Sequence, residues 1–175
     1  GLENSGNTQI IDLASGGGGG WLAVAESMKK EIPGVQITLT DYYPNISAFE
    51  STREKHPDLF GFTSTSIDAT DVPKDMKGLR TQFLSFHHFT PEMCSSILQN
   101  AVDARQPIAI FEFMERDILH LFKIGLIPAS VYAFTPFIRP FSIERLLYTF
   151  ALPIVPLSIG FDGIVSVFRT YTPKE

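Results

Sequence analysis

The sequence contains a single cysteine, Cys94, so the chain can form no internal disulfide and offers no cluster of thiolate metal ligands. A reducing, cytoplasmic location is the expectation that follows. Basic residues are also scarce, since 14 lysines and arginines face 19 acids and leave a net charge of −5. This balance argues against nucleic acid as a main partner. No basic stretch followed by an apolar one opens the chain, so no signal peptide is predicted.

Long uninterrupted apolar runs are missing too, although the second half of the chain is much more apolar than the first. Residues 124–138 and 146–161 carry no charge, but prolines interrupt both runs, so they are not predicted to span a membrane. We expect buried or interfacial helices that line a pocket, form a lid or mediate homo-oligomerisation. Peripheral membrane contact is the alternative. Residues 1–117 would form the core of the domain, and 118–175 its apolar helical part.

Five consecutive glycines, Gly16–Gly20, follow an apolar stretch that ends in Asp12. The order indicates a buried strand, a tight turn and a helix that begins near Trp21. Because glycine has no Cβ, such a turn can adopt positive φ and let a ligand approach the backbone. The amides of the turn and the helix N-terminus suit a nucleotide or a carboxylate. A flexible linker is the alternative, but linkers are not flanked by a strand and an amphipathic helix.

Hydrophobic periodicity predicts five strands that alternate with helices. The strands are placed at residues 9–13, 35–40, 59–67, 79–86 and 107–113. This order predicts an α/β fold, a doubly wound and mostly parallel sheet with helices on both faces, followed by apolar C-terminal helices.

Three helices are predicted between these strands. The first places Trp21, Val24, Ala25, Met28 and Ile32 on one face. The second spans residues 45–56. Thr90 caps the third, whose apolar stripe comprises Met93, Cys94, Ile97, Leu98, Ala101 and Val102.

The C-terminal part of the chain departs from a complete sheet of this kind. Residues 163–170 fit either a sixth strand or a helix, and residues 172–175 look like the start of another helix. Either the sheet is incomplete in this chain, or its C-terminal half departs from the usual arrangement.

A polar residue marks the end of each predicted strand, namely Asp12, Asp41, Asp68, His87 and Glu112. Ligands of doubly wound sheets bind at this edge. Asp41 could accept hydrogen bonds from two ribose hydroxyls, or be a solvated turn acid. Asp68 could accept from an adenine amine while Ala69 offers its amide, or it could cap a turn. Phe86 and Phe89 could flank a base, or belong to the core.

Four segments resemble the class I S-adenosylmethionine-dependent methyltransferases in order and spacing: residues 12–18, Asp41, residues 66–70 and residues 86–89. The family has an acid-x-Gly-x-Gly-x-Gly loop, and Ala14 here replaces the first glycine. The resemblance implies S-adenosyl-L-methionine as cofactor, with S-adenosyl-L-homocysteine as product. It also implies methyl transfer to a small or lipid-like acceptor. The predicted cofactor site comprises Asp12, Ser15, Gly16, Gly18, Asp41, Tyr42, Asp68, Ala69 and Phe86.

Within this resemblance, the methionine end of the cofactor would lie on residues 15–18, its ribose at Asp41 and its adenine at Asp68 and Ala69. A nicotinamide-binding Rossmann oxidoreductase is the nearest alternative, because it too has a glycine turn and an acid after the second strand. The acid that ends the first strand and the loop at Asp68 favour the methyltransferase. A non-catalytic cofactor-binding module is a further alternative.

His87 is the candidate catalytic base, because histidine can remove a proton from an acceptor near neutral pH. Some small-molecule O-methyltransferases resemble this segment and carry a basic histidine here. An imidazole that bonds a neighbouring loop is the alternative. No metal site is predicted, because His87 and His88 on a strand end would point to opposite faces. Glu112, with residues 115–117, could orient the acceptor or form a solvated, self-paired charge cluster.

Overall fold

The computed structural model describes residues 8–113 and 115–171. The chain divides into two compact units whose boundary falls between Glu112 and Phe113. The predicted boundary after residue 117 stays a prediction. The predicted helix start at residues 172–175 lies outside the described residues.

The first unit contains an open sheet of five parallel strands. They are β1 (Gln9–Asp12), β2 (Gln36–Leu39), β3 (Phe60–Phe62), β4 (Leu79–Phe83) and β5 (Ile108–Phe111). Their order is β3-β2-β1-β4-β5, and every neighbouring pair is parallel. In the centre, Ile10 of β1 lies opposite Ile37 on one side and Leu79 on the other. The predicted α/β fold with a parallel sheet and C-terminal helices is confirmed.

Four helices connect these strands: α1 (Gly19–Leu22), α2 (Ala25–Glu31), α3 (Ile46–Lys55) and α4 (Pro91–Asp103). The predicted Thr90 cap is confirmed, because its hydroxyl accepts from the Met93 amide at 3.4 Å. The single helix predicted after the glycines is wrong. It breaks into α1 and α2 at Val24, which is 40% exposed and leaves helical geometry at φ −114° and ψ 0°. The Val24 amide donates to the Trp21 carbonyl at 3.1 Å, three residues back, in place of the four-residue bond of an α-helix.

The hydrophobic core of the first unit packs between the sheet and helices α1 to α3. Its fully buried members are Ile10, Trp21, Ala25, Val35, Ile37, Leu39, Phe49, Leu59 and Phe60. Trp21 also packs edge-on against Phe83, with ring centroids 4.7 Å apart. This packing fixes the carboxyl ends of β1 and β2, where the candidate site begins.

Several predicted strands are too long. The third ends at Phe62 rather than residue 67, and the fifth spans Ile108–Phe111 rather than 107–113. The fourth ends at Phe83 because Leu84 turns the chain with a φ of +53°, and a 3-10 turn (Phe86–His88) follows.

The apolar stripe predicted for α4 is only partly buried. Cys94, Ile97 and Ala101 are in the core. Met93, Leu98 and Val102 are exposed on the flanks of this face. The helix therefore buries a narrower face than its sequence predicts.

The second unit is helical. It contains α5 (Ile118–Gly125), α6 (Ile127–Phe134), α7 (Ile143–Leu146) and α8 (Ile154–Arg169). A 3-10 turn (Thr135–Phe137) follows α6, and a π-helical turn (Leu147–Ala151) follows α7. Residues 163–169, for which a strand or a helix was predicted, are helical.

Buried or interfacial helices were predicted for the apolar runs, and of these two alternatives the buried one is wrong. In the described part of this unit, Val167 is the single buried large aliphatic or aromatic side chain, whereas 21 others are exposed. The guanidinium of Arg145 donates to the carbonyls of Ile138 and Pro140.

Candidate cofactor site

The loop after β1 has left-handed backbone conformation at every second residue. The φ angles are +53° at Ala14, +56° at Gly16 and +68° at Gly18. These are the three positions at which the methyltransferase loop has glycine. Glycine, which adopts this conformation without strain, occupies two of these positions. Ala14 adopts it at a cost of about 1–2 kcal/mol, which is the price of placing a Cβ there.

Gly16 and Gly18 differ in what surrounds them. A Cβ on Gly16 would meet nothing within 4 Å, so this residue is open to a ligand. A Cβ on Gly18 would lie 3.0 Å from Leu39 Cδ1 and 3.4 Å from Thr52 Oγ1. Gly18 is therefore required for packing of the loop against β2 and α3.

Ser15 ties the loop to the ends of β1 and β2. Its hydroxyl donates to the Asp12 carbonyl at 2.9 Å and accepts from the Thr40 amide at 3.1 Å. Its carbonyl accepts from the Gly18 amide at 2.7 Å. The Ser15 side chain, predicted to contact the cofactor, thus already has two partners within the protein.

Asp41 follows β2 and holds two backbone segments through its carboxylate. Oδ2 accepts from the Gly16 amide at 2.8 Å, and Oδ1 accepts from the Tyr43 amide at 2.9 Å. Each carboxylate oxygen has a second lone pair, so a ligand hydroxyl can still bind. Asp41 thus connects the end of β2 to Gly16 of the glycine loop, which lies 25 positions earlier in the chain.

Asp12 ends β1 and is 2% exposed. Its Oδ1 accepts from the Thr81 hydroxyl at 2.7 Å. Burial raises the pKa of this carboxyl above its ordinary value, while hydrogen bonds to the charged form oppose the shift. The folded protein therefore holds this proton more tightly than the unfolded chain does. The contribution of Asp12 to stability falls as the pH rises from 3.8 through the raised pKa.

Replacing Thr81 with valine should lower the free energy of unfolding by about 1.5–3 kcal/mol at a pH above the raised pKa of Asp12, since it then removes a hydrogen bond to a buried charge. The loss should shrink as the pH falls through the raised pKa of Asp12, because the protonated carboxyl needs this donor less. Urea unfolding of the full chain at several pH values measures this loss in the free energy of unfolding.

Thr40→Val is the matched control, since Thr40 is equally buried and its hydroxyl donates at 2.8 Å to the backbone carbonyl of Asp12. It should cost about 0.5–1.5 kcal/mol at every pH, because that acceptor does not titrate. Equal and pH-independent losses in the two variants would contradict the assignment of the charge to Asp12.

A cavity of about 480 Å³ opens beside these residues at the carboxyl edge of the sheet. Its volume is in the range typical of small-molecule sites. Its walls are mostly apolar, with two carboxylates among them. It is lined by Ala14, Asp41, Tyr42, Tyr43, Ile67, Asp68, Ala69, His88, Phe89 and Met93. Four of the nine predicted cofactor residues are among them: Asp41, Tyr42, Asp68 and Ala69.

Asp68 lies on this cavity with one oxygen committed and one available. Its Oδ1 accepts from the Thr70 amide at 2.8 Å and from the Thr70 hydroxyl at 2.7 Å. For Oδ2, no hydrogen bond to any of the described residues is recorded. The carboxylate thus caps its own turn, as the alternative interpretation predicted, and still presents an acceptor beside the Ala69 backbone.

The other five predicted residues do not line the cavity. Asp12 and Gly18 are buried, Ser15 is bonded within the loop, and Gly16 is exposed beside it. Phe86 is 8% exposed, and Phe89 takes its place on the wall.

Sequence reasoning did not include Tyr43, Ile67, His88 and Met93 among the site residues. Ile67 and Tyr43 adjoin predicted residues, so sequence proximity was an available signal. Met93 comes from the first turn of α4 and had none.

His87 is 3% exposed and bonded to the end of β5. Its Nδ1 lies 2.8 Å from Glu112 Oε2, and its backbone amide donates to Glu112 Oε1 at 3.2 Å. The prediction of a self-paired charge cluster at Glu112 is therefore wrong.

The prediction that His87 and His88 point to opposite faces is also wrong. They sit on a 3-10 turn, not a strand, and their ring centroids are 4.2 Å apart.

No model of a known protein family matches this chain, and no curated protein sequence does either. Among solved structures, it is similar to PKMT2 from Rickettsia typhi in complex with AdoHcy, with a TM-score of 0.43 and 11% identity. The match covers 95% of this chain and 33% of that one. The chain thus spans about a third of the length of its structural neighbour. At this identity and TM-score, the likeness says nothing about ligand or activity.

Proposed function

We propose that this chain binds S-adenosylmethionine at the carboxyl edge of its sheet and transfers the methyl group to a small or lipid-like acceptor. The observation that supports it is one cavity lined by Asp41, Asp68 and Ala69, three residues that the resemblance assigned to ribose and adenine. They lie up to 28 positions apart in the sequence. The fold brings them to the same wall.

The chemistry of the cavity suits a nucleoside. The Asp41 carboxylate keeps lone pairs for ribose hydroxyls, and Asp68 presents an oxygen that can accept from an exocyclic amine. Ile67, Phe89 and Met93 provide apolar surface for a base. When bound, S-adenosylmethionine supplies an electrophilic methyl group, and the chain's own task is to hold it and to orient the acceptor.

His87 is the base in this proposal. The Glu112 carboxylate holds its Nδ1, which orients the ring and leaves Nε2 to accept the acceptor's proton. Because the ring is buried, the acceptor or a single water must reach Nε2 through the surrounding side chains. The competing role for His87 is an imidazole that braces the end of β5 through Glu112.

Calorimetry on the full chain in a mild detergent tests the proposal, with S-adenosylhomocysteine and NADH titrated separately. We expect S-adenosylhomocysteine to bind and NADH not to bind. Binding of NADH alone would replace the proposal with a Rossmann oxidoreductase, which shares the glycine loop and the acid after β2. Binding of neither would leave the cavity without a nucleotide function. Binding of S-adenosylhomocysteine without methyl transfer would indicate a non-catalytic module.

A further inference from the structure

We propose that the helical unit, residues 115–171, inserts into a lipid bilayer and anchors the chain there as a helical hairpin. Its first arm is the 20-residue stretch Ile118–Phe137, and its second arm is Ile143–Ala151 with Ile154–Arg169, bent by 69° between them. Twenty helical residues extend about 30 Å, which is the thickness of the hydrocarbon core. The proposal is independent of the cofactor.

The first line of evidence is which side chains face outwards. Only 6% of the apolar window in the first arm is buried, so it is not the core helix of a soluble unit. Many large apolar side chains are highly exposed, among them Ile118 (86%), Phe137 (76%), Ile143 (75%) and Phe161 (72%). Soluble monomers rarely expose an apolar patch of this extent.

The second line of evidence is what lies inside. The buried residues of the unit are mostly small or carry hydroxyls: Thr135, Thr149, Pro156, Gly160, Ser166, Val167 and Thr170. The Thr135 hydroxyl donates to the Val131 carbonyl at 2.6 Å, so it is satisfied within its own helix. This inversion of a soluble core is typical of helices that pack within lipid.

Glycines bring the two arms into contact. A Cβ on Gly160 would lie 2.8 Å from Pro128, and one on Gly163 would lie 2.6 Å from Ile124. The side chains of Ile124 on α5 and Pro128 on α6 therefore pack directly on the backbone of α8. Close approach through small residues is how membrane helices associate, since lipid provides no hydrophobic drive between them.

The charges of the unit gather at the ends of the arms. Glu115, Arg116 and Asp117 precede the first arm, and Arg169 closes the second. Arg139 lies in the connection between the arms, and Glu144 and Arg145 lie in the first turn of the second arm. Residues 113–171 carry five basic and four acidic side chains. Residues 1–112 carry eight basic and fourteen acidic side chains. The part with the apolar surface thus lacks the acidic excess that anionic lipids would repel.

Two charges lie away from the ends of the arms, Lys123 and Asp162. They are sequence neighbours of Ile124 and Gly163, which touch each other, so the two charges sit at a similar depth. Opposite charges at one depth can pair when water is excluded, and pairing lowers their cost in lipid. Lys123 is also within two turns of the charged end and can extend its amine to the interface.

A second copy of this chain is the competing occupant, and the distribution of apolar surface speaks against it. A dimer covers one face, but here every helix of the unit exposes large apolar side chains. Phe122 on α5, Phe134 on α6, Ile143 on α7 and Leu157 on α8 are each at least 64% exposed. A bilayer covers all of these surfaces at once.

Liposome flotation of the full chain tests the proposal, with vesicles of phosphatidylcholine containing a minor share of phosphatidylglycerol. We expect the protein to float with the vesicles and to remain bound after washing with high salt and with alkaline carbonate. Combining Phe122→Asp, Leu157→Asp and Phe161→Asp should lower the ratio of bound to free protein at least about a hundredfold, because carboxylates are costly in hydrocarbon.

The matched control combines Leu84→Asp, Leu98→Asp and Val102→Asp, three exposed apolar residues of the first unit. This variant should float like the wild type. Wild-type protein that remains in the aqueous fraction as a stable oligomer would overturn the proposal in favour of a second copy. Release of the wild type by salt or carbonate would overturn insertion, and equal loss in both variants would show that the arms are not the lipid contact.

Discussion

Replacing His87 with glutamine should lower methyl transfer by roughly two to four orders of magnitude while affinity for S-adenosylhomocysteine is kept, as expected for the loss of a general base. The physical reason is the geometry at Nδ1, where Glu112 fixes the ring at 2.8 Å and leaves the other nitrogen for a proton. The measurement is transfer of labelled methyl groups from S-adenosylmethionine into aqueous and lipid extracts. Calorimetry on the same preparations reports affinity.

His88→Gln is the matched control, because His88 sits on the same 3-10 turn and lines the cavity. It should keep transfer close to that of the wild type. The reverse result, with transfer lost in His88→Gln alone, would move the base to the neighbouring residue. Near-normal transfer by a less stable His87→Gln protein would assign His87 to bracing β5 and catalysis to proximity.

Replacing Asp41 with alanine should weaken S-adenosylhomocysteine binding by about 1.5–3 kcal/mol, or roughly 10- to 150-fold, the loss expected for hydrogen bonds to a charged acceptor. Calorimetry on the full chain measures it. Asp75→Ala, which removes an exposed acid outside the cavity, should leave the affinity unchanged.

Adenosine separates the two contacts that Asp41 can make. The Asp41 carboxylate also holds the Gly16 amide, so its removal loosens the loop on which the methionine end would lie. Equal fold-losses for adenosine and S-adenosylhomocysteine would indicate a ribose contact. A loss confined to S-adenosylhomocysteine would show that Asp41 acts only through the loop, which contradicts the predicted ribose role.

The parts of the fold that follow local rules could be predicted from the sequence. Alternating apolar segments with β-branched residues indicated five parallel strands, and Thr90 with Pro91 marked the start of α4. The polar strand ends at Asp41 and Asp68 indicated where a cavity would form, because parallel strands present their carboxyl ends at one edge.

The errors arose where long-range contacts decide the local conformation. Leu84 has a positive φ that no local rule predicts for leucine, and it ends β4 three residues early. Glu112 was separated from its partner by 25 residues, so its bond to His87 had no sequence signal. In the helical unit, apolar composition does not tell whether side chains face inwards or outwards, because the tertiary packing of the helices alone decides which side chains are buried.

The central position of β1 has a consequence for how the chain folds during synthesis. The neighbouring strand β2 emerges soon after β1, since Gln9 and Gln36 are 27 positions apart, whereas Asp12 and Thr81 are 69 positions apart. Each doubling of a closed loop costs only about 0.6 kcal/mol, so the difference lies in timing rather than in equilibrium stability. A half-sheet of β1, β2 and β3 would wait with the other edge of β1 unpaired until β4 leaves the ribosome. During that interval the nascent chain presents an open strand edge, which is the stage at which chaperone protection would matter most.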